Sequence, residues 1–250
     1  MAMTRRGFLG TLAAPVARAQ ETVRAGAATA DISPALGTSL VGYLTDRAAA
    51  EVHDPLRVCC AALESGSQRM LLATVDSCMV PHSILDRARA RIAKENSVDP
   101  AAILISSTHT HSAPAVMHLF QSFADERYAS FLETRIGDAA RTAFRRLRPA
   151  RVGAGVGREP TLAFNRRYFM KPGTIPPNPF GGTDQVLMNP PLRSPNIVRA
   201  AGPTDPAHPV IAAFGEDSKP IWIYANFSLH YAGYNAGEEV SADYFGAWRR

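Results

Sequence analysis

The chain has 250 residues, enough for one large domain or two small ones around a substantial apolar core. Hydrophobic residues make up 46% of it and charged residues 20%, which is ordinary for a globular protein, and it contains no 18-residue apolar run. The formal net charge is +5, and three of these charges (Arg5, Arg6 and Arg18) lie in a segment that we expect to be removed. The remaining charge is too small to indicate a nucleic-acid partner, so we expect none.

Residues 1–19 are typical of an export signal. Residues 4–9 (TRRGFL) place paired arginines before the apolar stretch 8–16, and residues 17–19 (ARA) offer a small-x-small cleavage site. This pattern resembles the bacterial twin-arginine signal and predicts a mature domain of residues 20–250 in the periplasm or outside the cell. The alternative is a basic N-terminus that belongs to an amphipathic helix.

Apolar periodicity in the first half of the mature chain predicts strands and one helix. Strands are expected at 23–32, 56–63 and 70–75, and the polar residues 64–68 predict a hairpin between the last two. Apolar residues at helical spacing predict a helix over 83–97. A further strand is expected at 103–106.

The second half begins with the longest helical pattern of the chain, residues 126–148, which we expect Pro149 to end. A short strand follows at 151–156, and residues 210–214 and 221–227 form a hairpin in this interpretation. Together these elements predict an α/β fold in which a mixed β-sheet with hairpins is layered with α-helices.

Between the helix and the last hairpin lies a proline-rich segment. Ten of the nineteen prolines fall within residues 172–209, where we find no periodicity. A stretch of this length is either a linker or a functional loop, and its apolar residues favour an ordered loop packed over a site.

Three cysteines are too few and too irregularly spaced for a disulfide framework or a cysteine-based zinc site. Cys59 and Cys60 are adjacent in an expected strand and Cys78 closes another. We expect all three to be small buried side chains.

Two histidines mark the end of the strand at 103–106. The apolar run 101–105 breaks into residues 106–114 (SSTHTHSAP), and in an extended segment His109 and His111 project to the same side. Neutral imidazoles are good ligands for zinc, and strand ends of α/β sheets are common ligand sites. The alternative is a hydrogen-bonded structural pair, since a motif of this length is a hypothesis until its structural context is known.

His230 follows another expected strand, in residues 226–231 (NFSLHY). If both strand ends share one edge of the sheet, a cluster of three histidines is easily formed. Asp243 is a candidate carboxylate for orienting a histidine. Asp76, at the end of the strand at 70–75, could line the same edge or cap a turn.

Several segments resemble the neutral/alkaline non-lysosomal ceramidase family, and they occur in the family's order across the mature chain. They are residues 25–34 (AGAATADISP), 52–56 (VHDPL), 107–114 (STHTHSAP), 165–167 (NRR), 226–230 (NFSLH) and 241–244 (SADY). The third segment looks like the family signature, except that Ala113 stands where the family usually has glycine.

The resemblance implies a zinc-dependent amidase that hydrolyses the N-acyl bond of ceramide. Carried over residue by residue, His109 and His230 would be Zn²⁺ ligands. His111 would lie beside the metal and contact the substrate or the tetrahedral intermediate, with Arg166 as a charged hydrogen-bond donor nearby. The family's remaining ligands, a glutamate and a tyrosine, are expected beyond residue 250, so we expect the chain to be C-terminally incomplete.

The sequence therefore predicts an exported zinc amidohydrolase in which metal-activated water attacks a secondary amide. Its expected partner is a small-molecule lipid or another N-acyl compound, which leaves peripheral membrane contact open. The chain contains no Gly-x-Ser-x-Gly elbow to support a serine hydrolase. The alternatives are a hydrolase of the same fold with another N-acyl or ester substrate, and a non-catalytic domain with an incomplete zinc site.

Overall fold

The computed structural model describes residues 23–230 and 237–250, so the predicted export signal at 1–19 lies outside the described residues. The strands in chain order are β1 (Arg24–Asp31), β2 (Ser39–Val41), β3 (Arg47–Ala48), β4 (Glu51–Val52), β5 (Arg57–Ser65), β6 (Gln68–Val75), β7 (Ile103–Ser107), β8 (Ala113–Pro114), β9 (Arg148–Arg158), β10 (Arg167–Met170), β11 (Val186–Met188), β12 (Ile197–Ala200), β13 (Ala207–Gly215), β14 (Pro220–Ala225) and β15 (Glu239–Val240). The helices are α1 (His82–Asn96), α2 (Glu126–Arg145) and α3 (Asp243–Trp248), with one 3₁₀ turn at Pro100–Ala102.

A seven-stranded sheet in the order β14-β13-β9-β1-β5-β6-β7 forms the centre of the fold. The pairs β1–β5 and β5–β6 are antiparallel, whereas β6 and β7 are parallel and are joined through α1. The predicted mixed α/β fold is thus confirmed, with more strand than helix. The predicted strand at 23–32, the hairpin of 56–63 with 70–75 and the helix at 83–97 are confirmed too.

The chain divides into two compact units. Among the described residues, unit 1 comprises 23–154, 211–224 and 237–250, and unit 2 comprises 155–210 and 225–230. The boundaries fall within β9 and β13 and at the end of β14. Unit 2 contains a separate three-stranded sheet in the order β11-β10-β12.

Both long helices of unit 1 bury their apolar faces in one core. Ile84, Ala88 and Ile92 of α1 and Leu132 and Ile136 of α2 pack in a single cluster with the apolar side chains of β1, β5, β6 and β7. These positions recur every three or four residues, which is the spacing that predicted the helices. Burial against the sheet is therefore what stabilises α1 and α2, since isolated helices of this length are marginal.

α2 begins at the predicted residue but ends at Arg145, before the predicted residue 148. The Asp125 carboxylate caps the first turn by accepting hydrogen bonds from the N–H groups of Arg127 (2.8 Å) and Tyr128 (3.3 Å). At the other end the helix stops at Arg145, because Arg148 already belongs to β9, which pairs with β1. The prediction that the helix reaches residue 148 was wrong, since sheet pairing begins before Pro149.

The proline-rich segment 172–209 is more regular than predicted. It contributes β11, β12 and the first residues of β13, and β10 precedes it. Short pairings such as Tyr168 with Leu187 and with Ala200 escape a periodicity search, because strands of three or four residues show too few alternations. Within residues 23–230 and 237–250, no helix is both long and apolar enough to span a bilayer.

Gly26 of β1 marks a close approach of the sheet to α2. A Cβ atom at this position would lie 2.1 Å from the carbonyl oxygen of Ala143. Because that neighbour is backbone, the helix itself must move, and we expect Gly26→Ala to lower the free energy of unfolding by about 3 kcal/mol. Urea unfolding followed by circular dichroism measures this change.

Gly153→Ala is the matched control, since nothing lies within 4 Å of a Cβ built at Gly153 in β9. We expect that variant to be neutral or more stable by up to about 1 kcal/mol. Equal effects of the two substitutions would contradict the close approach.

Candidate metal and active site

The parallel pairing of β6 with β7 builds the site, because parallel strands end at the same edge of a sheet. Val75 is paired with Ser107, and the hydrogen-bond ladder continues beyond both strands. The N–H of Thr108 donates to the carbonyl of Val75 (2.9 Å), and the N–H of His109 donates to the carbonyl of Ser77 (2.9 Å). The segments that follow the two strands therefore lie side by side.

His109 departs from the extended conformation that the sequence predicted. Its φ is +65°, in the left-handed region that residues other than glycine adopt uncommonly, although histidine, asparagine and aspartate do so more often than the rest. We had predicted that His109 and His111 lie on one side because side chains alternate along an extended strand. That reason was wrong, since His109 is not extended. The turn at His109, not the pleat of a strand, directs the two side chains.

The two imidazoles nevertheless converge. The Nε2 atoms of His109 and His111 are 3.2 Å apart, and the rings are nearly perpendicular with centroids 4.8 Å apart. Two nitrogen ligands at about 2.0–2.1 Å from one tetrahedral zinc ion would be separated by about 3.3 Å. The two nitrogens thus lie within hydrogen-bond distance of each other, at a spacing that also matches two ligands of one small ion.

The other nitrogen of His109 is already engaged. Its Nδ1 lies 2.7 Å from the carbonyl oxygen of Cys78, which can only accept, so this nitrogen carries the proton and donates it. Nε2 is then the basic nitrogen, with its lone pair directed toward His111. A backbone carbonyl in this position is the usual way in which a metal-binding histidine is oriented.

The sequence predicted only a small buried side chain at Cys78, but the structure places this residue beside His109. Its Sγ is 3.6 Å from Nδ1 of His109, and ligand atoms of Cys78, His109 and His111 all lie within 4.8 Å of one another. Burial raises the pKa of the Cys78 thiol to about 11, so the side chain is a neutral thiol in the absence of a metal. The three side chains form a cluster that could hold a metal ion, with Cys78 near Nδ1 of His109. Only the parallel pairing of β6 and β7 could have revealed this neighbour.

A loop from the C-terminal part of the chain holds the histidine segment in place. The Thr110 hydroxyl donates to the carbonyl of Ser241 (2.7 Å), and the N–H of His111 donates to the Asp243 carboxylate (3.3 Å). The N–H of Ala242 donates in turn to the carboxylate of Asp54 (2.6 Å). Asp243 thus contacts the backbone of His111, whereas we had expected it to orient a histidine side chain. Burial raises the pKa of its carboxyl, and the N–H of His111 opposes that rise.

Asp76 lies at the same edge of the sheet and is 1% exposed. Both of its oxygens accept from the Arg249 guanidinium, one of them at 2.6 Å, and the N–H of Arg57 also donates to it (2.8 Å). Burial raises the pKa of Asp76, and the contacts with Arg249 and Arg57 counteract this. The buried ion pair ties the segment after β6 to the end of α3.

Arg166 and His230, the other two predicted site residues, both belong to unit 2 and are exposed. Arg166 immediately precedes β10, and its carbonyl accepts from the N–H of Asn189 (2.8 Å). His230 follows β14 by five residues. Unit 2 also encloses a cavity of about 420 Å³ lined by Phe169, Lys171 and Asp184 among others, and none of the predicted site residues lines it. The roles assigned to Arg166 and His230, like those of His109 and His111, stay predictions.

Comparison with solved structures gives the fold an identity. The neutral ceramidase from Pseudomonas aeruginosa superimposes with a TM-score of 0.68 at 18% sequence identity, over 91% of this chain and 35% of that one. The chain has a ceramidase-like fold. A ceramidase complexed with C2 is similar as well, with a TM-score of 0.65 at 18% identity, over 91% of this chain and 34% of that one.

No family model and no curated protein sequence matches the chain. The chain spans about a third of the length of the two ceramidase structures. The likeness found from short motifs is thus confirmed at the level of the fold.

Gly42 presses directly against the second histidine of the site. Its φ is +126°, and a Cβ atom built on it would lie 2.5 Å from Cβ of His111. We expect Gly42→Ala to displace His111, which would shift or broaden its imidazole signals in a long-range ¹H–¹⁵N NMR spectrum. Gly37→Ala separates this effect from backbone strain, because Gly37 also has a positive φ (+86°) but has open space around it. Unchanged His111 signals in Gly42→Ala would contradict the contact.

Without Arg249, the buried carboxylate of Asp76 should lower the free energy of unfolding. We expect Arg249→Met to lower the free energy of unfolding by about 3–5 kcal/mol at pH 7, because an ionised carboxylate then stays buried without its partner. The loss of Arg249 raises the folded-state pKa of Asp76 further above its unfolded value. The penalty is therefore full above that folded pKa and fades as the pH falls toward the unfolded value of about 3.9.

Denaturant titrations of the wild type and the variant at pH 7 and pH 4.5 measure both parts of this prediction. Arg87→Met is the control, since it breaks an exposed ion pair with Glu133 and should cost at most about 1 kcal/mol at either pH. A penalty for Arg249→Met that does not depend on pH would show that Asp76 is not the group responsible.

Proposed function

We propose that the protein is a metal-dependent hydrolase that cleaves the N-acyl amide bond of ceramide or a ceramide-like lipid. The observation that carries the proposal is the pair of imidazole Nε2 atoms 3.2 Å apart at the end of two parallel strands in a ceramidase-like fold. Strand ends of this kind are the usual location of ligands in α/β proteins.

The donor set fits a zinc ion. Nδ1 of His109 donates to the Cys78 carbonyl, so the neutral ring carries its lone pair on Nε2, and His111 offers a second nitrogen at the spacing of a common ligand pair. We propose His109 and His230 as the zinc ligands, with His111 beside the ion. The geometry within unit 1 is equally compatible with His111 as a ligand, so the experiment below tests both assignments.

When bound, zinc would activate a water molecule and polarise the acyl carbonyl at neutral pH. The hydrolysis then adds the water oxygen to the acyl carbon, breaks the carbon–nitrogen bond and transfers a proton to the leaving amine, which gives a fatty acid and a free amine. We assign to His111 a hydrogen bond to the substrate oxygen that becomes negative during the attack. We assign to Arg166 a charged hydrogen bond that stabilises the same oxygen.

Export would place this activity outside the cytoplasm. We propose a twin-arginine signal in residues 1–19, which would carry an already folded domain across the membrane. N-terminal sequencing of secreted protein would give Gln20 as the first residue, and a retained Met1 would contradict cleavage at this site.

Zinc content decides the ligand assignment. We expect elemental analysis of the purified chain to find about one zinc ion per molecule and His109→Ala to lose it. Loss in His230→Ala with retention in His111→Ala supports the proposed ligands. The opposite result would make His109 and His111 the ligand pair.

His82→Ala is the control, because it removes an exposed imidazole at the start of α1 and should keep the zinc. The same preparations are then assayed for release of fatty acid from N-acyl sphingosine. We expect His111→Ala to reduce the turnover number by a factor of at least about 100, the scale of losing one stabilising group at a developing negative charge. A wild-type chain that binds no zinc would refute the proposal for these 250 residues.

A further inference from the structure

Arg47 is a buried cation beside the second histidine, and the carboxylate of Asp46 acts on it only from beyond ion-pair distance. Arg47 is 9% exposed, and none of the ion pairs among the described residues includes it. Burying a guanidinium is costly unless hydrogen bonds and charges compensate for the lost hydration. Such a residue needs an explanation beyond packing.

The hydrogen bonds of Arg47 go to backbone carbonyls that surround the site. One Nη donates to the carbonyl of His111 (2.7 Å) and, at longer range, to that of Val41 (3.5 Å). The other Nη donates to the carbonyl of Gly237 (2.6 Å). The fork of the guanidinium therefore joins the histidine segment to the chain at Gly237, a geometry that the compact ammonium of lysine cannot reproduce.

Arg47 also reaches the side chain of His111 through an aromatic ring. Its guanidinium carbon lies 4.4 Å from the centroid of the Tyr43 ring, a cation–π distance. The Tyr43 ring in turn meets the His111 ring edge to face, with centroids 5.8 Å apart. One cation thus restrains both the backbone and the imidazole of His111.

The short hairpin that carries Arg47 surrounds His111 on several sides. Leu40 of β2 is paired with Arg47 of β3, and Val41 is paired with Ala113, two residues after His111. Gly42, the next residue, lies against Cβ of His111. The ring of His109 is held by the Cys78 carbonyl, which belongs to the segment after β6.

We propose that Arg47 is a positioning residue that holds the His111 imidazole, through its carbonyl and through Tyr43, in the orientation that faces Nε2 of His109. This inference rests on the proposed function of His111. It extends that function to a second arginine that does not touch the substrate. It also explains why a cation is kept where an apolar side chain would avoid the cost of burial.

The experiment compares Arg47→Met and Arg47→Lys with the wild-type chain. Co²⁺ alone is the probe, because its visible absorption reports binding and ligand geometry without any substrate. We expect Arg47→Met to change the absorption spectrum of bound Co²⁺, because His111 lies beside the ion in the proposed site, and Arg47→Lys to change it less. The Co²⁺ affinity of Arg47→Met should stay close to that of the wild type, because His111 is not one of the proposed ligands. Ile136→Val is the control for a general loss of stability. It removes a buried methyl group from α2, far along the chain from the hairpin.

A second readout requires no metal. In the long-range ¹H–¹⁵N spectrum of the metal-free chain we expect one set of His111 imidazole signals for the wild type and doubled or broadened signals for Arg47→Met. His109 signals should change less in that variant. Ile136→Val should leave both sets as they are in the wild type.

Each outcome decides one of the two proposals. If the wild type binds no Co²⁺, the proposed metal function fails, and the imidazole spectrum alone decides the role of Arg47. If Arg47→Met matches Ile136→Val in the absorption spectrum of bound Co²⁺ and leaves the His111 signals unchanged, Arg47 only stabilises the fold and the inference is overturned.

Discussion

The hydrogen-bond ladder between β6 and β7 does not stop where the two strands end. It continues through Thr108 and His109, so that Cys78 lies beside His109 and its carbonyl accepts the Nδ1 proton. The placement of His109 follows from this pairing. The pairing fixes the backbone from which the turn at His109 begins. That turn then sets the position of His111. A shift of the β7 register would remove the carbonyl that orients the first histidine.

Buried charged side chains and their hydrogen-bond partners hold the segments of the site in place. Arg249 compensates the buried Asp76 on one side, and Arg47 binds carbonyl groups on the other. Buried polar contacts of this kind add little net stability, yet they favour one arrangement, since a half-made network is costly. The two imidazoles therefore stand in a prepared geometry before any ligand arrives, which is the condition under which a site stabilises charge efficiently.

Much of this fold was predictable because apolar periodicity reports burial directly. The helices at Ile84–Ile92 and Leu132–Ile136 and the hairpin of β5 with β6 follow from spacing alone. The short strands β10, β11 and β12 did not, because three or four residues carry too little pattern. In the site, the histidine pair was visible in the sequence. The contributions of Cys78, Arg47 and Gly42 were not, because each depends on which strand lies next to which.

Three of the contacts that restrain the site join residues far apart in the chain. Thr110 and Ser241 are separated by 131 residues, His111 and Asp243 by 132, and Asp76 and Arg249 by 173. During translation the central strands and both long helices leave the ribosome well before these partners do. Until residues 241–249 have been synthesised, the nascent chain lacks the cation that compensates Asp76, and the histidine segment lacks its contacts with Ser241 and Asp243.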